Sequence, residues 1–121
     1  MANPNIVNVA TIKGKTTGAS LGTSTASLVS NPSASGKIFK INSVYISNVD
    51  TTTAASATLT YYCYNTTGTY HVIKNVSVPA NSTLVAISKN EAIYLEEQDY
   101  ISGFADVADD LEIVISYEEI S

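Results

Sequence analysis

The sequence predicts an all-β fold: a single-domain antiparallel β-sandwich of about eight or nine strands, jelly-roll-like in order. Three observations predict it. Apolar and polar residues alternate with a period of two from end to end, and no useful stretch repeats at helical spacing. Turn clusters interrupt the alternation every ~8 to 12 residues, the rhythm of short strands. Finally, only 14% of the 121 residues are charged, and the polar share is carried by Ser, Thr and Asn, which favour strands and turns over helix interiors.

The first predicted strand runs from Ile6 to Thr16, with Val7, Val9 and Thr11 facing one way and Ile6, Asn8 and Ala10 the other. Gly14, Gly18 and Gly22 make its later part weak, twisted or bulged. Thr25 to Ser30 is next and ends in Asn31-Pro32-Ser33-Ala34-Ser35-Gly36, a turn in which Pro32 fixes its own φ and biases Asn31 toward extended geometry. Lys37 to Asn48 is the strongest strand: Ile38, Val44 and Ile46 lie on one face with Lys40 and Asn42, and Phe39, Ile41 and Tyr45 on the other with Ser43. Apolar groups on both faces imply a central strand.

After a polar loop, Ala57 to Tyr64 alternates Leu59, Tyr61 and Cys63 against Thr58, Thr60, Tyr62 and Tyr64. Asn65-Thr66-Thr67-Gly68 connects it as a hairpin to Tyr70 to Val78. Turns at Pro79-Ala80-Asn81 and Lys89-Asn90-Glu91 bound strands over Thr83 to Ser88 and Ala92 to Leu95. Tyr100 to Ala105 and Leu111 to Ile120 complete the set, the last with Leu111, Ile113, Ile115 and Tyr117 inward and Glu112, Ser116 and Glu118 outward. One core serves residues 1–121, and residues 1–35 form an extended N-terminal segment used in assembly contacts.

Charge separates along the chain. All six cations are lysine, four of them before Asp50, whereas ten of the eleven acids fall within residues 90–121, where there is no lysine. A net charge of −5 without a cationic stripe excludes nucleic acid as a partner. Lys13 and Lys15, in the basic half, are candidate interface residues that could meet the acidic quarter across a subunit boundary. The start lacks a signal peptide and no stretch approaches the ~20 apolar residues of a membrane span, so neither secretion nor a membrane is expected.

Catalysis finds no constellation. Cys63 and His71 are each the sole residue of their type, so neither a disulfide, a zinc cluster nor a nucleophile–base pair can be assembled from them. Cys63 reads as a small buried apolar residue and His71 as a strand residue among tyrosines. Glu96, Glu97 and Asp99 make a poor carboxylate pair for hydrolysis, because neighbours in one turn point to opposite sides and the chain has no Trp to form a sugar platform. No metal or cofactor is expected; Asp106, Asp109, Asp110 and Glu112 are the one candidate calcium loop, without EF-hand spacing. Tyr62, Tyr64 and His71 are candidate contact residues, because Tyr offers an apolar body and a wet hydroxyl to a partner.

The segments "VYISNVD", "VSVPANSTLVAISKNEAIYLEEQDYISG" and "LEIVISYEEI", in that order, resemble small β-sandwich virion structural proteins of tailed phages, especially marine ones. The resemblance covers residues 36–121 and is carried by Val78-Pro79-Ala80-Asn81-Ser82-Thr83 followed by Ile93 to Asp99. It implies a non-enzymatic virion protein, made in the host cytoplasm, whose partners are copies of itself and other virion proteins. The function expected is a homo-oligomeric capsid decoration protein; the alternative is a tail, collar or fibre-tip component that binds a host receptor or glycan.

Overall fold

The computed structural model describes residues 11–121. They form β1 (Ile12–Ser20), β2 (Ala26–Ser30), β3 (Ile38–Asn48), β4 (Ala55–Cys63), β5 (Gly68–Val78), β6 (Thr83–Ile87), β7 (Ile93–Leu95), β8 (Tyr100–Ala105) and β9 (Leu111–Ile120), with one 3-10 turn at Lys89–Glu91. The periodicity thus gave the correct class, an antiparallel sandwich of nine strands. One sheet has the order β1-β9-β3-β6, with β7 also paired to β3; the other is β2-β8-β4-β5. The chain passes from one sheet to the other at most connections, so sequence neighbours such as β1 and β2, or β8 and β9, lie in opposite layers.

The core lies between the layers. From the first sheet come Phe39, Ile41, Val44, Ile46, Ile87, Leu95, Leu111, Ile113 and Ile115; from the second come Val29, Ala55, Ala57, Leu59, Val78, Ile101 and Ala105. The second sheet mixes Ala55, Ala57 and Ala105 with larger residues, whereas the inner set of the first sheet is large throughout. Gly103 is closely packed within its own sheet: a Cβ there would lie 2.5 Å from Cδ2 of Leu59, its partner on β4, and 3.0 Å from the Thr58 carbonyl oxygen.

β3 departs from the predicted alternation. Phe39 and Ile41 pair with Glu119 and Tyr117, but the register with β9 shifts between Ile41 and Ser43, and Val44 then pairs with Ile115. Asn42 is the extra residue. This bulge moves Phe39 and Ile41 onto the same inner face as Val44 and Ile46, all of them buried, and leaves Tyr45 outward and 43% exposed. Among the described residues Asn42 Oδ1 is the one buried side-chain polar atom without a hydrogen-bond partner, a local cost of the bulge.

The N-terminal region also differs from expectation. Ile6 to Ala10 lies outside the described residues, and the strand continues to Ser20 in an unbroken ladder with β9 despite Gly14 and Gly18. Of residues 1–35, β1 and β2 are built in as edge strands of the two sheets.

Two buried asparagines tie the loops at opposite ends of β3. Asn31, fully buried, donates to the carbonyls of Lys37 at 2.9 Å and Leu95 at 3.0 Å, while Ser35 Oγ donates to its Oδ1 at 2.6 Å. Asn48 donates to the Thr53 and Val78 carbonyls, each at 2.9 Å, and accepts from the Asp50 N–H at 3.0 Å. An amide can donate twice and accept at once, so one side chain closes two loops without charge. The Pro79 turn is closed as its sequence predicts: Asn81 takes a φ of 60° and Ser82 Oγ donates to the Pro79 carbonyl at 2.6 Å.

Candidate interaction surfaces

Register decides which side chains share the outer face of β2-β8-β4-β5. Tyr100, Ser102 and Phe104 on β8 lie opposite Tyr62, Thr60 and Thr58 on β4. On the far side of β4, Thr60 pairs with His71 and Tyr62 with Thr69. Thr60 and Ser102 hydroxyls are 2.7 Å apart, and the Tyr62 and Tyr100 rings meet edge to face at 4.8 Å and 84°. Every outward position on β4 and β8 is therefore Ser, Thr, Tyr or Phe, with no ionised group.

Tyr62 and His71 come together on this face as the sequence suggested. Tyr64 does not. It lies one residue beyond β4, in the turn where its carbonyl accepts from the Thr67 N–H at 3.1 Å. Tyr100, Ser102, Phe104 and Thr60 were missed as face residues. Their signal was present in the alternation with Ile101, Gly103 and Ala105, but the pairing of β8 with β4 is not local information.

The end of the sandwich beside this face is organised by Asp99, only 1% exposed. Its Oδ1 accepts from the Tyr64 N–H at 2.9 Å, and its Oδ2 from the Glu96 N–H at 3.0 Å and the Tyr61 hydroxyl at 3.2 Å. Glu96 and Glu97 are used separately: Asn65 Nδ2 donates to Glu96 at 3.1 Å, and the Gly36 N–H to Glu97 at 2.7 Å. The three acids of this turn thus brace three different neighbours. Burial, then the adjoining Cys63 and Asp99, pushes the Tyr61 phenol well above its ordinary range. Cys63 is partly exposed rather than buried, because β4 is ending there, and hydrogen bonds from Tyr61 and then Thr66 pull its thiol below the ordinary value.

The candidate calcium loop does not converge. Asp106 Oδ1 accepts from the Ser56 N–H at 2.8 Å, and Glu112 points outward from β9 opposite Ser20 and Ser47. Asp109 takes a φ of 68°. Asp110 faces Asp50: desolvation, then the charge of Asp50, raises Asp110, whereas the Thr52 N–H and hydroxyl lower Asp50. Among the described residues no group of three or more His, Cys, Asp or Glu side chains is placed to hold a metal ion.

The lysines find their acid within the chain. Lys15 Nζ lies 3.2 Å from one oxygen of Glu119 and Lys37 Nζ 3.1 Å from the other, so the interface candidate Lys15 has an acid partner within its own chain. Glu119 continues the inward set of β9 and is only 9% exposed. Burial pushes its carboxyl up, but Lys37 and then Lys15 outweigh it and hold it below the ordinary range. Lys13 pairs in register with Glu119 and is exposed.

Comparisons with known proteins give the fold alone. No protein-family model matches the chain, and no curated protein matches it. A solved structure from the Bacillus endospore appendages, described as a family of disulfide-linked pili, is similar with a TM-score of 0.54 and 13% identity over 99% of this chain and 96% of that one. No helix among the described residues is long and apolar enough to cross a membrane.

Proposed function

We propose that this chain is a virion structural protein of a tailed phage, a capsid decoration subunit that works on the particle exterior as a homo-oligomer, by contact and without catalysis. The observation that carries the proposal is the outer face of β2-β8-β4-β5, where the side chains of β4 and β8 are only Tyr, Phe, Ser and Thr, half-buried except for Thr58 and Ser102, which are buried. Interface centres are depleted in charge and enriched in Tyr, because an ionised group must be desolvated on docking while a phenol buries its ring and keeps a hydroxyl bond. The resemblance of residues 36–121 to phage virion proteins supports the same reading. We read the strand order β1-β9-β3-β6 over β2-β8-β4-β5 as a jelly roll, an architecture used in capsid shells, and that reading supports the same proposal. The endospore appendage protein is a pilus component, an instance of a similar fold serving as an assembling subunit.

The test is placement on the particle. Gold-labelled protein added to phage particles that lack it should coat the head, and Tyr62→Glu combined with Thr69→Lys, which charges the face, should abolish the coating while the β-sheet circular dichroism is retained. Label confined to the tail would replace decoration by the tail or fibre reading. Equal coating by the charged variant would remove the face from the interface.

A further inference from the structure

A sheet in a sandwich has two edges, so the described residues form four. Three are protected against pairing with another strand. The edge beside β3 is split between β6 and β7, of five and three residues. β2 has five residues and a register shift between Ser27 and Val29. β5 is long but carries two register shifts, and Asn75 takes a φ of 51° within it. The fourth edge, β1, is nine residues long, free of bulges and proline, and exposed at every position but Thr17.

Hydrogen bonding fixes which groups of β1 are open. Thr11 and Ser121 exchange both backbone bonds, at 3.0 and 2.9 Å, and the Leu21 N–H donates to the Leu111 carbonyl at 2.9 Å. In an antiparallel ladder the doubly bonded pairs recur at every second residue. Lys13, Lys15, Thr17 and Ala19 are thus the residues bonded to β9. The N–H and C=O of Ile12, Gly14, Thr16, Gly18 and Ser20 point to the open side, and among the described residues no other segment bonds them.

We propose that this edge pairs with β1 of a second copy, antiparallel and centred on Thr16, joining two sheets across a two-fold axis. The open groups lie on even-numbered residues, so like must meet like: Ile12 with Ser20, Gly14 with Gly18, Thr16 with Thr16, which makes roughly ten new backbone bonds. Since centring on Thr17 would leave Ile12 beyond the partner strand, charge and strand length together select this register. It sets Lys13 across from Ala19 and Lys15 across from Thr17 of the second copy, whereas centring on Lys15 would oppose two lysines directly and centring on Gly14 would oppose Lys13 to Lys15, each a destabilising pair. A shallow groove beside β1, with Thr17, Gly18, Ala19, Leu28, Ile113 and Ile115 on its walls, adjoins the position opposite Lys13 of the second copy. An apolar floor there suits the methylene stem of a lysine whose head stays in water. The symmetric contact is isologous and closes at a dimer.

This inference deepens the assembly reading by naming a partner and an edge, yet it stands on the opposite sheet from the tyrosine face. Thr16→Pro is the informative variant: its lost N–H points to the open side, so the ladder with β9 keeps its bonds and only the new contact is blocked. Sedimentation of the whole chain should give twice 12.8 kDa for the wild type and 12.8 kDa for the variant, a two-fold fall. Hydrogen exchange should show the amides of Gly14, Thr16 and Gly18 protected only in the dimer, and those of Lys13, Lys15 and Thr17 protected in both. Should Thr16→Pro disturb folding, Thr16→Lys, which opposes two ammonium groups on the axis, must give the same fall in mass. A wild type that is monomeric at all concentrations, or an oligomer whose mass and edge protection survive both substitutions, would overturn the proposal. Loss of the dimer without any binding of the wild type to particles would spare this inference and remove the decoration reading; a monomer that still coats heads would do the reverse.

Discussion

Replacing Asp99 by Ala removes the acceptor for three donors at once. The carboxylate is 1% exposed and takes the Tyr64 N–H at 2.9 Å, the Glu96 N–H at 3.0 Å and the Tyr61 hydroxyl at 3.2 Å. Each buried donor stranded without a partner costs about 1 to 3 kcal/mol, and the partly exposed Tyr61 end can recover a water, so the sum is set near ~4 kcal/mol. That is a large part of the ~5 to 15 kcal/mol that holds a domain of this size together, and it corresponds to a fall in melting temperature of about 15 °C. Asp99→Asn separates hydrogen bonding from volume. With its oxygen turned toward Glu96 and Tyr61, the amide keeps two donors satisfied and faces the third, Tyr64 N–H, with its own NH₂, for a loss of about 2 kcal/mol. Urea and thermal unfolding followed by far-ultraviolet circular dichroism measure both. An Asp99→Ala protein within about 0.5 kcal/mol of wild type would refute the account of Asp99 as the brace of this end.

Three further outcomes follow from the same geometry. Glu119 has a carboxyl held low in the folded state, so its contribution is fully present above the unfolded-state pKa of ~4.3 and is lost as pH falls through the lower folded value. Glu119→Gln should therefore be less stable than wild type by about 1 kcal/mol at pH 7, the lysines being substantially solvated, and the gap should close toward pH 3; a gap independent of pH contradicts the ion-pair account. Gly103→Ala places a methyl 2.5 Å from Leu59 Cδ2, and because Leu59 is fully buried the clash should cost about 1 to 3 kcal/mol in urea unfolding, where an unchanged midpoint would be unexpected. Deleting Asn42 should leave a folded protein with a regular ladder, since Phe39, Ile41, Val44 and Ile46 then fall at every second position and Ile41, Ser43 and Val44 meet Tyr117, Ser116 and Ile115 in succession, and a deletion variant without a native β spectrum would count against Asn42 as the extra residue.

Sequence alone determined what depends on neighbours along the chain. Alternation assigned the inner set Leu111, Ile113, Ile115 and Tyr117 of β9, and the punctuation at Asn31 to Gly36, Asn65 to Gly68 and Pro79 to Ser82 fell where the chain turns. These features are legible because a two-residue period and a turn's backbone preferences are local properties. Tertiary structure decided the rest. The bulge at Asn42 shows in the sequence only as apolar groups on both faces of β3, and it is the pairing with β9 that gathers Phe39 and Ile41 with Val44 and Ile46 on one face. In the same way the sequence reduced Asp99 to one of three acids in a turn, while packing singled it out to accept donors from β4 and its hairpin. It likewise set Tyr100, Ser102 and Phe104 beside Thr58, Thr60 and Tyr62, so that a face belonging to no single strand came into being only when the two strands paired.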